Sequence, residues 1–127
     1  MRSLRHQVLG FICLMGLLVL WPAWPTQAQA SAPPQGKPAL YEFGAGYCYS
    51  CKEMEKVMAE LKTSHSDQAE FRMVYVDKEE ELFKQYKIML IPTQVFLDAS
   101  GKEVERHIGP LSKEEVLLKL RELKFIR

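Results

Sequence analysis

Cysteine is scarce in this chain: three in 127 residues, one of which, Cys13, lies in an apolar N-terminal run. Small exported domains that use disulfides as staples carry several cysteines spread along their length. Here the other two, Cys48 and Cys51, are separated by only two residues. A bond across so short a loop removes little chain entropy, which disfavours a purely structural staple. Histidine is scarce too. Beyond the N-terminal run only His65 and His107 occur, both in polar surroundings, and there is no second CxxC. Structural zinc sites want four N or S ligands, often as two such pairs. A metal-binding or metal-delivery module built on the Cys pair is therefore the weaker alternative, and no metal ligands are assigned. Excess charge is missing as well: 17 basic and 16 acidic side chains leave a formal net charge of +1. That balance offers nothing to a polyanion, so no nucleic-acid partner is expected. Internal repeats and low-complexity segments are absent.

What is present begins with a leader pattern over residues 1–30. Arg2 and Arg5 precede an apolar run from Val8 to Trp21, followed by Pro22, Pro25 and Ala28-Gln29-Ala30. A basic start, a short apolar stretch and an A-x-A site describe a secretory signal peptide. The run falls short of the roughly 20 residues that span a bilayer, which leaves an uncleaved membrane tether as the alternative. Cys13 reads as an ordinary apolar residue discarded with the peptide. The leader holds two of the 17 basic residues and none of the 16 acidic ones, so cleavage after Ala30 leaves 15 against 16. Residues 31–38, "SAPPQGKP", read as a flexible linker. Residues 39–127 read as one domain, small but able to fold alone.

Within that domain the hydrophobic period alternates between strand and helix. "ALYEF" (39–43) is a short apolar strand. Met54, Val57, Met58 and Leu61 recur at i, i+3, i+4, i+7, which predicts an amphipathic helix of about four turns after the Cys pair. "RMVYVD" (72–77) predicts a second strand, and Leu82, Phe83 and Tyr86 one face of a short helix over 79–86. "TQVFLD" (93–98) and "EVERHI" (103–108) read as strands joined by a hairpin turn at 99–102. Ser112 with Glu115 forms a capping box for a last helix, with Val116, Leu117, Leu120 and Leu123 as its buried stripe. Phe71, Tyr75, Phe83 and Phe96 read as core residues. The order β-α-β-α-β-β-α implies an α/β fold with a parallel unit, then an antiparallel hairpin, and helices covering both faces of the sheet.

Cys48 follows a strand and a Gly-containing turn, at the first turn of the predicted helix. Free backbone N–H groups and the positive end of the helix dipole stabilise a thiolate there. CxxC thiols so placed titrate at roughly 3.5–7.5 rather than near ~8.5. Cys48 is therefore the expected nucleophile, and Cys51 the thiol that attacks a mixed disulfide formed at Cys48. Glu42 stands in an otherwise apolar strand. It is either a solvated strand residue or a buried carboxylate with a raised pKa that could exchange a proton with Cys51. Pro92 precedes a strand it cannot join by an N–H bond. Taken alone, Ile91–Pro92 reads as a trans bond, since cis occurs in only about 5–6% of X–Pro bonds.

These pieces, "YEFGAGYCYSCKEME", "VYVDKE", "YKIMLIPTQVFLDASGKEV" and "GPLSKEEV" in that order, resemble the thioredoxin family over 40–123. The resemblance implies a minimal thioredoxin fold around a central four-stranded mixed sheet. It implies catalytic roles for Cys48 (attacking), Cys51 (resolving), Pro92 as the family's cis-proline, and Glu42 at the place of a buried acid that is usually Asp. Tyr47 and Tyr49, flanking Cys48, either form an exposed aromatic rim for a partner or simply pack; with Ile91 and Gly109 they are the expected substrate-binding residues. The only redox centre expected is the Cys48–Cys51 disulfide, with no separate cofactor. Tyr47 stands where the family has Trp, and Tyr49-Ser50 where it has Gly-Pro. "CKEMEK" is similar to reducing thioredoxin-like domains of the bacterial periplasm. The strongly oxidising members carry a His between the cysteines, and Tyr49 and Ser50 supply no charge. The expectation is thus a periplasmic, monomeric thiol:disulfide reductase that acts on protein disulfides and is recharged by a membrane-bound electron donor. A disulfide oxidase or isomerase, and a redox-inactive interaction domain, are the other readings.

Overall fold

The computed structural model describes residues 36–127. The leader expected at 1–30, Cys13, and most of the linker expected at 31–38 lie outside the described residues. The elements follow as β1 (Ala39–Gly44), α1 (Tyr49–His65), β2 (Glu70–Tyr75), α2 (Glu80–Gln85), β3 (Thr93–Leu97), β4 (Glu103–Ile108) and α3 (Lys113–Glu122). This is the β-α-β-α-β-β-α order that the hydrophobic period predicts. Among the described residues, no helix is long and apolar enough to cross a membrane.

The four strands form one sheet in the order β2-β1-β3-β4, parallel between β1 and β2 and antiparallel elsewhere. Every residue of β1 and of β3 is buried, as their central positions require. Side chains alternate across the sheet, so β1 divides its residues between two cores. Leu40 joins Met54, Met58 and Leu61 of α1 and Val116 and Leu120 of α3 on one face. Tyr41 and Phe43 join Leu82 and Phe83 of α2 on the other. The Ala69 N–H donates to the His65 carbonyl at the C-terminal end of α1 and the Glu70 N–H to the Pro38 carbonyl, so the chain is already tied to the sheet just before β1.

Several boundaries and burial assignments differ from expectation. β2 starts two residues earlier than predicted and ends at Tyr75. Tyr75 is not a core residue: on the edge strand it is half-buried, and its hydroxyl donates to Glu55 of α1 at 2.5 Å. Val57 and Leu117 are only partly buried at the margin of the core, and Leu123 caps α3 rather than extending it. Phe125 and Ile126, beyond any periodic stretch, complete the same core. The capping box on α3 forms as the Ser112–Glu115 spacing predicts.

Candidate active site

The end of β1 hands the chain directly to the Cys pair. After Gly44 a tight turn brings the Cys48 amide onto the Ala45 carbonyl at 3.0 Å. Cys48 then serves as N-cap of α1 with extended backbone, φ −87° and ψ 119°. Its sulfur does what a Ser or Asp oxygen does at this position: it accepts the Cys51 N–H at 3.2 Å. The Ser50 hydroxyl lies 3.5 Å away and is the donor, because a disulfide sulfur has no proton to give. No acidic side chain occupies the first turn of α1, so nothing there opposes the positive end of the helix.

Cys48 and Cys51 are disulfide-bonded, with Cα atoms 5.3 Å apart. Their environments differ sharply. Cys48 is half-buried, whereas Cys51 is wholly inaccessible. Cys51 rests on Gly44. A Cβ at Gly44 would stand 3.1 Å from the Cys51 Cβ and 3.3 Å from its Sγ, so the missing side chain makes the room in which Cys51 sits.

Glu42 is two residues back along β1 on the same face, and it is fully buried. The solvated-strand reading is therefore wrong. The helices α1 and α3 cover this face, so the strand has no water-facing side here. Burial pushes the Glu42 carboxyl up to about 8; the Gln94 amide, which favours the ionised form, offsets part of that rise. Gln94 of β3 lies directly opposite Glu42 and donates from Nε2 to Oε2 at 2.8 Å. The other carboxyl oxygen, Oε1, has no hydrogen-bond partner in the protein.

Pro92 comes to the same end of the sheet. Antiparallel pairing sets Thr93 opposite Phe43, one residue from Gly44. The Ile91–Pro92 bond is cis, as the resemblance implies and as residue-level frequencies do not. The Gly109 N–H donates to the Pro92 carbonyl at 2.9 Å, with Gly109 at φ +107°, so Gly109 and Pro92 are held together. Tyr47 and Tyr49 flank Cys48 and are 82% and 81% exposed. Ile91 is half-buried against the Phe43 core. The loop residues that reach solvent are its neighbours Met89 and Leu90, 88% and 61% exposed. The sequence reading passed over both, although an apolar pair beside a non-periodic proline was visible in "IMLIP". It also passed over Gln94, whose signal was a lone amide in an apolar strand, at the place opposite a lone acid. Among the described residues, no three His, Cys, Asp or Glu side chains are grouped to hold a metal.

The thioredoxin family model matches residues 27–122. A thiol:disulfide interchange protein TxlA homolog of Synechocystis is 37% identical over 82 residues, covering 63% of this chain and 46% of that protein. A thioredoxin of Alicyclobacillus acidocaldarius is 35% identical over 80 residues, covering 63% of this chain and 75% of that one. The match thus spans about half the length of the first relative and three quarters of the second. Among solved structures, the germline-specific thioredoxin Deadhead of Drosophila melanogaster superposes with a TM-score of 0.60 at 30% identity, covering 69% of this chain and 82% of that one.

Proposed function

This chain belongs to the thioredoxin family, and on that premise we propose that it is an exported thiol:disulfide reductase of protein disulfides. The observation that carries the reading is the asymmetry of the pair. A reachable Cys48 caps a helix, and a sealed Cys51 rests on Gly44, two residues along β1 from a buried acid on the same face.

The reaction runs in two exchanges. In the reduced protein the Cys48 thiolate attacks one sulfur of a partner's disulfide. A bond forms from Cys48 Sγ to that sulfur, the partner's S–S bond breaks, and the other partner sulfur leaves as a thiolate that takes a proton from solvent. The Cys51 sulfur then attacks Cys48 Sγ, giving its proton to Glu42 as it does so. The Cys48–Cys51 bond forms, the mixed disulfide breaks, and the second partner sulfur leaves as a thiolate that takes a proton from solvent. The partner has gained two electrons and the chain is left as the disulfide. With its pKa raised to about 8, only the ionised minority of Glu42 can take that proton at pH 7, but that carboxylate is a base close in strength to a thiolate. Tyr47, Tyr49, Met89 and Leu90 are large apolar side chains on the surface of this end of the domain. They suit an extended, uncharged partner segment, with Pro92 and Gly109 beneath it. The pair itself is the whole redox centre, and no other cofactor is invoked.

Direction and location rest on chemistry and on the leader. Neutral Tyr49 and Ser50 supply no charge to favour the thiolate, so the reduced form is not strongly stabilised and the poise is reducing. The pattern over residues 1–30 directs export, and in the periplasm the dithiol is restored by a membrane-bound dithiol donor. Trapping tests this. Cys51→Ser should accumulate mixed disulfides with its partners in the periplasm, as high-mass bands on non-reducing gels that collapse on reduction. Cys48→Ser should give none, because Cys51 is inaccessible. Equal trapping by both variants, or none by Cys51→Ser, would overturn the assignment of roles.

A further inference from the structure

Glu42 is not the only buried polar side chain at this site. Gln94 is equally inaccessible, and a buried primary amide in a central strand costs free energy unless it is bonded. Its Nε2–H meets Glu42 Oε2 at 2.8 Å across the β1–β3 ladder, while its own carbonyl oxygen and Glu42 Oε1 have no protein partner. The bond therefore divides the carboxyl. Oε2 is held by a donor, and Oε1 is left as the oxygen that gains and loses the proton. Both residues lie on the face that carries Cys51. Gln94 shares it with Phe96, and Glu42 is one strand repeat from Gly44, on which Cys51 rests.

We propose that Gln94 is a positioning residue for the exchange reaction: its amide fixes the Glu42 carboxyl with Oε1 free toward Cys51 and favours the carboxylate over the acid. This deepens the proton-acceptor reading of Glu42 and rests on it. The physical reason is charge assistance. An N–H···O bond to an anion is about twice as strong as one to a neutral acid, so the same amide holds Oε2 in both states but holds the ionised one tighter. A side chain of similar size without a donor would still pack and would lose this discrimination.

Other titratable groups do not take the role. Toward this face α1 turns Cys51 and Met54, β2 turns Met73, and α3 turns Val116 and Leu120, of which only reduced Cys51 titrates. On β4, half-buried His107 lies opposite Gln94. At the margins Glu105 is paired with Lys119, and Tyr75 with Glu55.

The test is the pH profile of disulfide reduction by full-length Gln94→Met, measured beside wild type, Glu42→Gln, the double variant and His107→Gln. Loss of the amide should move the midpoint upward by about one pH unit and lower the rate at pH 7 several-fold. In the Glu42→Gln background the same change should have no further effect on the profile. His107→Gln should leave the midpoint in place. An unmoved midpoint in Gln94→Met, or an equal shift in His107→Gln, would overturn the role of Gln94. If Glu42→Gln itself leaves the profile unchanged, it is the proton-acceptor reading that fails. A wild-type measurement stands beside the variants and needs none of them to fold. By NMR the Gln94 side-chain amide resonances of the reduced protein should titrate with the midpoint of the Glu42 carboxyl carbon. Amide resonances that stay fixed while Glu42 titrates would overturn the proposal.

Discussion

The Glu42 carboxyl is fully buried, and that burial dominates its chemistry, offset in part by the Gln94 amide. Its pKa of about 8 leaves it mostly protonated at pH 7 and mostly ionised at pH 9. The ionised form is the one that can take a proton from Cys51, so exchange should accelerate with pH up to about 8 and then level. Glu42→Gln keeps the shape and removes the base. It should slow reduction of a protein disulfide several-fold and abolish that limb of the pH profile, with the fold intact by circular dichroism. Rates unchanged between pH 6 and 9 would return Glu42 to a structural role. Gly44 gives a second expectation at this scale. A methyl there would crowd the Cys51 Cβ at 3.1 Å and Sγ at 3.3 Å, and both contacts are with the short, bonded side chain of the reactive pair. Gly44→Ala should cost about 1–3 kcal/mol of stability, read by urea unfolding; no loss would mean that Cys51 yields freely. The Cys48–Cys51 pair was legible in the sequence because its spacing is local, whereas the cis bond at Pro92 came only from the family resemblance, since local proline chemistry reads it as trans. The burial of Glu42 was not legible, because an acid in an apolar strand is solvated or sealed according to what covers the sheet. That is decided by α1 and α3, far away in sequence. Gln94 was missed for the same reason: its meaning appears only when β3 is laid against β1 in register.

At the scale of elements, α1 combines two functions that pull on one sulfur. As N-cap, Cys48 receives the Cys51 N–H and the Ser50 hydroxyl, and both would stabilise its thiolate in the reduced protein. Neither carries charge, so the stabilisation is modest. The reduction potential should therefore lie nearer about −270 mV than about −120 mV. Equilibration against a glutathione series measures it, and a value above about −180 mV would favour an oxidase or isomerase. Within that range Ser50 makes a signed contribution. Removing its hydroxyl destabilises the thiolate, and hence the reduced form, so Ser50→Ala should move the potential about 10–20 mV more negative. A shift to less negative values would mean that Ser50 acts on the disulfide instead. The helices themselves were largely legible. The i, i+4 stripe of Met54, Met58 and Leu61 and the Ser112 capping box both form as the pattern predicts. Edge strand β2 was read least well. Only Phe71 and Val74 are buried in it, three residues apart and in different cores, while Tyr75 turns its hydroxyl to Glu55, so aromatic character placed Phe71 correctly but not Tyr75.

For the whole molecule, the buried acid that serves exchange is a liability to folding, and pH exposes it. In the unfolded chain Glu42 titrates near its ordinary value of 4.5, and in the folded protein near 8. Below pH 4.5 both states carry the proton and Glu42 costs nothing. Between 4.5 and 8 the unfolded state releases its proton while the folded state keeps it, so each pH unit lowers stability by about 1.4 kcal/mol. Above 8 both states are ionised and the loss levels off, at roughly 5 kcal/mol in all. A domain of this size has only about 5–15 kcal/mol to lose, so the effect is large enough to see over the other ionisations. Glu42→Gln isolates it. Its neutral amide can donate to the Gln94 carbonyl, which has no partner in the native pair, and it does not titrate. The variant should be close to wild type in urea unfolding at pH 4.5 and progressively more stable than wild type up to pH 8, with the gap constant beyond. Parallel stability curves across that window would mean that water reaches the carboxyl and that the site is not sealed. A gap that opens as expected, in a variant that exchanges disulfides slowly, would show one carboxyl trading stability of the fold for proton transfer at Cys51.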